Sequence, residues 1–240
     1  MLFKGLPDIV NEHLHHWHEN LILNLIENRP EMRVLDVGCG YGRLSEPIAE
    51  RFPDADLTGI DISEHFVKLY EARTGHRAFP MTVENLPPTL GTFDCILCVT
   101  VLMYLEPENL KRAVDHLLGV LRPKGKLILI EPDESGLPFQ TGFGIVSLLK
   151  KRARKDIVLT GGRFFRENEM INLIARAGGR VLKEYRLPVT SMFILPLTLL
   201  GRLLPMRWAR SIYRVVSLLD AFLGRFKLPS IHVAYFIERG

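Results

Sequence analysis

At 240 residues and 27.4 kDa the chain is long enough to bury one sizeable core but short for two independent ones. Its 47% hydrophobic and 24% charged residues exclude a disordered or fibrous chain. The net charge of +4 makes the placement of basic residues more informative than their sum.

No apolar run reaches the roughly 20 residues that cross a bilayer, and the nearest, 192–204, is broken by Pro196 and Arg202. The N-terminus has neither a long apolar core nor a small-residue cleavage site, so the expectation is a cytoplasmic protein. Cys39, Cys95 and Cys98 cannot all pair, which suits reduced thiols. Cys95 and Cys98 form C-x-x-C inside a strand-like run, so buried small residues are expected there before a redox or metal role.

In chain order, residues 1–30 read as an N-terminal cap helix. The strand "RVLDVG" follows, then a helix at 44–51, the strand "DLTGID", a helix at 63–74 opened by Ser63, and the strands "RAFPMTV" and "FDCILCVT". A helix at 107–121 leads through "LRPKGK" into "KLILIEP": Pro123 stops the helix and Gly125 permits a positive φ. A helix at 166–177 with Glu167 in its opening turn, the strand "RVLKEYRL", a long apolar stretch and the strand "IHVAYFIER" complete the chain. Strands alternating with helices predict an α/β, Rossmann-like, doubly wound sheet of seven strands within a single domain, mainly parallel, with the last strand antiparallel after a helical apolar insertion at 188–230.

"VLDVGCGYGRLS" places Gly38, Gly40 and Gly42 between a buried strand and a helix. Glycines there let the backbone turn tightly and approach a ligand closely. Asp61 ends the second strand about twenty residues on, where a carboxylate can accept bonds from both hydroxyls of a ribose. Asp36 and Asp61 flank the same crevice.

These residues resemble the class I S-adenosylmethionine-dependent methyltransferases, in particular their small-molecule branch, over roughly 34–133. Asp36, Gly38, Gly40 and Gly42 match the D-x-G-x-G-x-G signature of that family. The resemblance implies S-adenosyl-L-methionine as cofactor, with Asp36 and the turn through Cys39 near its methionine part, Asp61 on the ribose and Ile62 against the adenine. It also implies Val83 at the adenine through its backbone N–H, and the backbone of Thr100 at the methionine amino group. Where the family commonly has Asp, this chain has Thr82, leaving either its hydroxyl or Glu84 to meet the adenine amino group.

Methyl transfer is an in-line displacement on a cofactor that already carries the electrophile, so the protein mainly aligns the acceptor and excludes water. A base is needed only if the acceptor must lose a proton early. Candidates are His15, His16 and His18 in "HLHHWH", Tyr104 after the fourth strand, and Glu131 or Asp133 after the fifth; the histidine spacing does not predict a metal site.

Residues 188–230 are apolar, with six basic residues against the single acid Asp220; a second basic stretch lies at 141–155. Both read as amphipathic elements facing an anionic membrane, or as a helical lid or homodimer surface. The expected acceptor is a hydrophobic or lipid-like small molecule methylated on oxygen or nitrogen. No nucleic acid is expected, since neither a stacking platform nor an N-P-P-Y motif occurs. A nicotinamide-dependent oxidoreductase and a non-catalytic cofactor-binding or scaffold protein are the competing readings.

Overall fold

The computed structural model describes residues 8–136, 162–188, 215, 218–220, 222–224 and 226–240. The chain falls into two compact units, one drawn from Met1–Trp17, Pro132–Arg166 and Tyr185–Val233, the other from His18–Glu131, Glu167–Glu184 and Ala234–Gly240.

The elements are α1 (Asp8–Leu25), β1 (Arg33–Val37), α2 (Ser45–Arg51), β2 (Asp56–Asp61), α3 (Glu64–Thr74), β3 (Arg77–Pro80), β4 (Phe93–Val99), α4 (Pro107–Gly119), β5 (Leu121–Pro132), α5 (Glu167–Arg176), β6 (Gly179–Pro188) and β7 (Ser230–Arg239). Seven strands form one sheet in the order β3-β2-β1-β4-β5-β7-β6. It is mainly parallel and includes one antiparallel pair; the β1–β2, β1–β4, β2–β3 and β4–β5 pairings are all parallel.

The central strands carry near-continuous apolar runs, as strands covered on both faces do. Val34, Leu35 and Val37 of β1, Ile96, Leu97 and Cys98 of β4, and Leu127 to Ile130 of β5 are all buried. Helix α4 opens with Pro107, whose fixed φ suits a first helical position. It buries Leu110, Ala113, Val114, Leu117 and Leu118, the three- and four-residue recurrence of a stripe facing the sheet. Helix α3 is capped at both ends: the Ser63 hydroxyl accepts from the Phe66 N–H, and Gly75 closes the helix in the left-handed region.

Three local expectations need correction. The strand expected over "RAFPMTV" stops at Pro80, and Val83–Asn85 forms a 3-10 turn instead. Proline has no N–H to continue a ladder. The positive φ that Gly125 permits is taken instead by Lys124, at +65°; Gly125 is small for another reason, since a Cβ there would lie 2.9 Å from the Arg122 carbonyl oxygen. The helix expected to reach residue 121 ends at Gly119, because Leu121 already belongs to β5.

The stretch 141–155 and most of 188–230 lie outside the described residues. Among the described residues, no helix is long and apolar enough to cross a membrane.

Candidate active site

From β1 the strand order runs outward through β2 and β3, and from β4 it runs the opposite way through β5. Such a reversal leaves a crevice beyond the carboxyl ends of the two central strands, the place where open α/β sheets bind ligands. The glycine turn follows β1 and Thr100–Tyr104 follows β4, and the two strands run in register with Val37 opposite Cys98.

The glycine turn is pressed against that second segment. A Cβ on Gly38, whose φ is +68°, would sit 2.5 Å from Cγ2 of Val101. Gly40 has φ +52° and faces open space, with nothing within 4 Å of where a Cβ would be. The turn is fixed from the side of β2: the Gly40 N–H donates to Asp61 Oδ2 at 3.0 Å, and the Cys39 N–H donates to the Ile60 carbonyl at 2.9 Å. The other Asp61 oxygen accepts from the Ser63 N–H at 2.9 Å. Asp61 therefore positions the turn as well as ending β2.

Beneath the turn lies a buried polar chain. Tyr70 Oη donates to Ser45 Oγ at 3.0 Å, and Ser45 Oγ donates to Asp36 Oδ2 at 2.7 Å. Burial pushes the Asp36 carboxyl up to about 6, against the lowering effect of the Ser45 hydrogen bond and of the Arg43 charge. Sequence reasoning missed Ser45, Tyr70 and Gly59, whose Cβ position is 2.8 Å from Cys39 Sγ and 2.9 Å from the Tyr70 ring. The recurrence of glycine in "DLTGID" was the one available signal. Gly42 is closely packed, its Cβ position 2.7 Å from Cγ2 of Thr74 in α3.

Ile62 stands 78% exposed beside Asp61, an unusual setting for a large aliphatic side chain. Val83 is buried. The Thr82 hydroxyl accepts from Asn85 Nδ2 at 3.1 Å, and Asn85 Oδ1 is held by Arg112 at 2.8 Å. Glu84 Oε2 is buried with no hydrogen-bond partner among the described residues. A buried carboxylate oxygen left open asks for a donor.

Thr100 has φ +55°, rare for a residue with a branched side chain. Its N–H is bonded to the Ile130 carbonyl at 2.7 Å. Next to it, Glu131 at the end of β5 is fully enclosed and accepts from three consecutive backbone N–H groups, Val101 at 3.0 Å, Leu102 at 2.7 Å and Met103 at 3.2 Å. Burial pushes its carboxyl up to about 8, and the three hydrogen bonds oppose that rise. Both oxygens being engaged, Glu131 shapes the turn after β4 and is not open to abstract a proton. Tyr104, on that turn, is 58% exposed.

His15 and His16 belong to the first unit, with ring centroids 5.5 Å apart, while His18 is a buried residue of the second. Asp133, in the first unit, is buried and bonded by the Ser135 hydroxyl and by Arg186. The three cysteines are buried free thiols, and burial pushes Cys95 up to about 12 and holds Cys98 well above its ordinary value. Neither is poised as a thiolate.

A glycine turn at the switch point of a doubly wound sheet, pinned by an acid at the end of the neighbouring strand, defines a Rossmann-like nucleoside-binding domain. Residues 34–125 match the family described as a methyltransferase domain. A tRNA N(3)-methylcytidine methyltransferase of Schizosaccharomyces pombe is 29% identical over 161 residues, 61% of this chain and 64% of that one. A ubiquinone biosynthesis O-methyltransferase of Dechloromonas aromatica is 36% identical over 103 residues, 40% of this chain and 43% of that one. In each of these the match spans less than two thirds of the relative's own length. The solved SAM-dependent methyltransferase of Thermotoga maritima shares the fold, with a TM-score of 0.61 at 17% identity over 96% of this chain and 91% of that one. Residues 34–125 are therefore read as a methyltransferase domain, on the fold that the solved class I S-adenosylmethionine-dependent methyltransferases share.

Proposed function

We propose that this chain transfers the methyl group of S-adenosyl-L-methionine to an oxygen or nitrogen of a hydrophobic small molecule. The observation that carries the reading is the left-handed glycine turn, closed against Val101 on one side, tied to Asp61 on the other and open at Gly40. Bound there, the cofactor supplies a sulfonium-activated methyl group. Asp61 would hold the ribose hydroxyls, with lone pairs left over from its two backbone bonds. Ile62 offers an exposed aliphatic face to the adenine, and the open Oε2 of Glu84 takes its amino group in place of the engaged Thr82 hydroxyl. The Thr100 N–H being occupied, its carbonyl is the atom suited to an ammonium donor.

Alignment of acceptor and methyl group accounts for the catalysis, and a dedicated base is not required for an acceptor that is already a good nucleophile. Tyr104, on the turn after β4, is exposed. Its hydroxyl is assigned to orienting the acceptor. A hydrophobic acceptor is favoured by the apolar composition of 188–230 and by the relative named for ubiquinone biosynthesis; the tRNA-acting relative supports the opposite class. The reduced, buried thiols suit the cytoplasm.

The test is transfer of radiolabelled methyl into a cell extract partitioned between organic solvent, water-soluble metabolites and RNA. Label in the organic phase is the expected result. Label confined to charged metabolites or to RNA overturns the acceptor class, and no transfer into any fraction overturns the activity.

A further inference from the structure

We propose that the apolar stripe at residues 215–226 docks on an anionic lipid surface. Residues 215, 218–220 and 222–223 are helical. Val215, Leu218, Leu219, Phe222 and Phe226 recur there at three- and four-residue spacing, which gathers them on one side. All five are exposed, Leu218 at 72% and Phe222 at 56%, and the Phe222 and Phe226 rings meet edge to face at 5.6 Å.

The opposite side is fixed within the same unit. Asp220 is buried, and its carboxylate accepts from His13 Nε2 at 2.9 Å. Gly224 lies so close to the chain at Arg186 that a Cβ would fall 2.6 Å from the Arg186 carbonyl oxygen. The polar residue is thus turned inward and the aliphatic and aromatic ones outward, the reverse of a helix on a water-soluble surface. A contiguous exposed apolar patch marks an interaction site.

Charge identifies the occupant. Residues 188–230 carry Arg202, Arg207, Arg210, Arg214, Arg225 and Lys227 against the one acid Asp220, and that acid faces inward with His13 as its partner. Apolar side chains outward, in a stretch whose sequence carries an excess of cations, match a bilayer with anionic head groups, which offers both an apolar interior and negative charge. A second copy of the chain would set the same positive stretch against itself, and a nucleic acid would leave the stripe in water. With no described helix long enough to span, the contact lies in the plane of the interface.

The experiment is co-sedimentation of the full chain with phosphatidylcholine vesicles, with and without about a third phosphatidylglycerol. Expected is binding to the anionic vesicles at low salt that weakens as salt rises. A Leu218→Ser, Phe222→Ser double variant should lose about tenfold or more in partitioning, having left apolar surface unburied. Its far-ultraviolet circular dichroism and its affinity for S-adenosylhomocysteine should be unchanged, which separates this surface from the cofactor site. Absence of binding to anionic vesicles at low salt overturns the proposal, as does full binding by the double variant. A concentration-dependent dimer that the double variant abolishes, with no vesicle binding by the parent chain, overturns it in favour of a self-interface.

Discussion

Asp61 does two jobs with one carboxylate. Its oxygens accept from Gly40 and Ser63, so the glycine turn and the start of α3 are both referred to the end of β2. Replacing it by asparagine turns one acceptor into a donor that faces a backbone N–H. Affinity for S-adenosylhomocysteine should fall about 10- to 100-fold, a loss of roughly 1.4–2.8 kcal/mol, measurable by titration calorimetry. A change within about twofold in a folded variant removes Asp61 from the cofactor site. Asp36 is a different case, because its carboxyl is raised from 3.8 to about 6 and the folded state therefore holds a proton that the unfolded chain releases. Stability due to this group is fully present below about 4 and is lost as pH rises through about 6, after which the profile is flat. Asp36→Asn should remove on the order of 3 kcal/mol of that decline, read as a urea midpoint that changes less between pH 4 and 7 than in the parent chain. An unaltered profile would mean that Asp36 is not the group responsible.

The turn after β4 shows how far local sequence can be read. Apolar runs gave β1, β4 and β5, and the three- and four-residue recurrence gave α4, because both patterns are local consequences of burial. The role of Glu131 was not legible, since it depends on the end of β5 coming beside a turn 28 to 30 residues earlier in the chain. As a strand-end acid it read as a candidate base; three backbone donors make it the anchor of the turn that packs on Gly38. Likewise Lys124 rather than Gly125 takes the left-handed conformation, because the close approach to Arg122 reserves the glycine for its missing Cβ. Glu131→Ala would leave three N–H groups without their acceptor. The expected cost is about 3 kcal/mol or more, at roughly 1–3 kcal/mol for each stranded group, seen as a lowered urea midpoint. Glu131→Gln keeps one carbonyl oxygen and should lose less. If alanine is tolerated within about 1 kcal/mol, water serves the turn and Glu131 is not its anchor.

At the scale of the molecule, alternation of strands and helices announced a doubly wound sheet, but periodicity carries no information about which neighbour a late strand will choose. β7 enters between β5 and β6, with the long apolar stretch preceding it in the chain. The candidate cofactor residues could be named from the sequence because they cluster at the ends of β1 and β2, within a span whose spacing is set by the fold itself; the acceptor side has no such fixed spacing. Ligand binding should therefore be visible in the stability of the whole chain even while the acceptor is unknown. Saturation with S-adenosylhomocysteine at about a hundredfold over its dissociation constant adds roughly 2.7 kcal/mol. At about 2–4 °C per kcal/mol for a chain of this size, the melting midpoint should rise by roughly 5–10 °C. A nicotinamide dinucleotide at the same concentration should leave it unmoved, and Asp61→Asn should shrink the rise seen with S-adenosylhomocysteine at fixed ligand concentration. A midpoint raised by the dinucleotide and indifferent to S-adenosylhomocysteine would mean that the turn at Gly38–Gly42 cradles a pyrophosphate, and the reading of Asp61, Ile62 and Glu84 as a nucleoside site for methyl transfer would go with it.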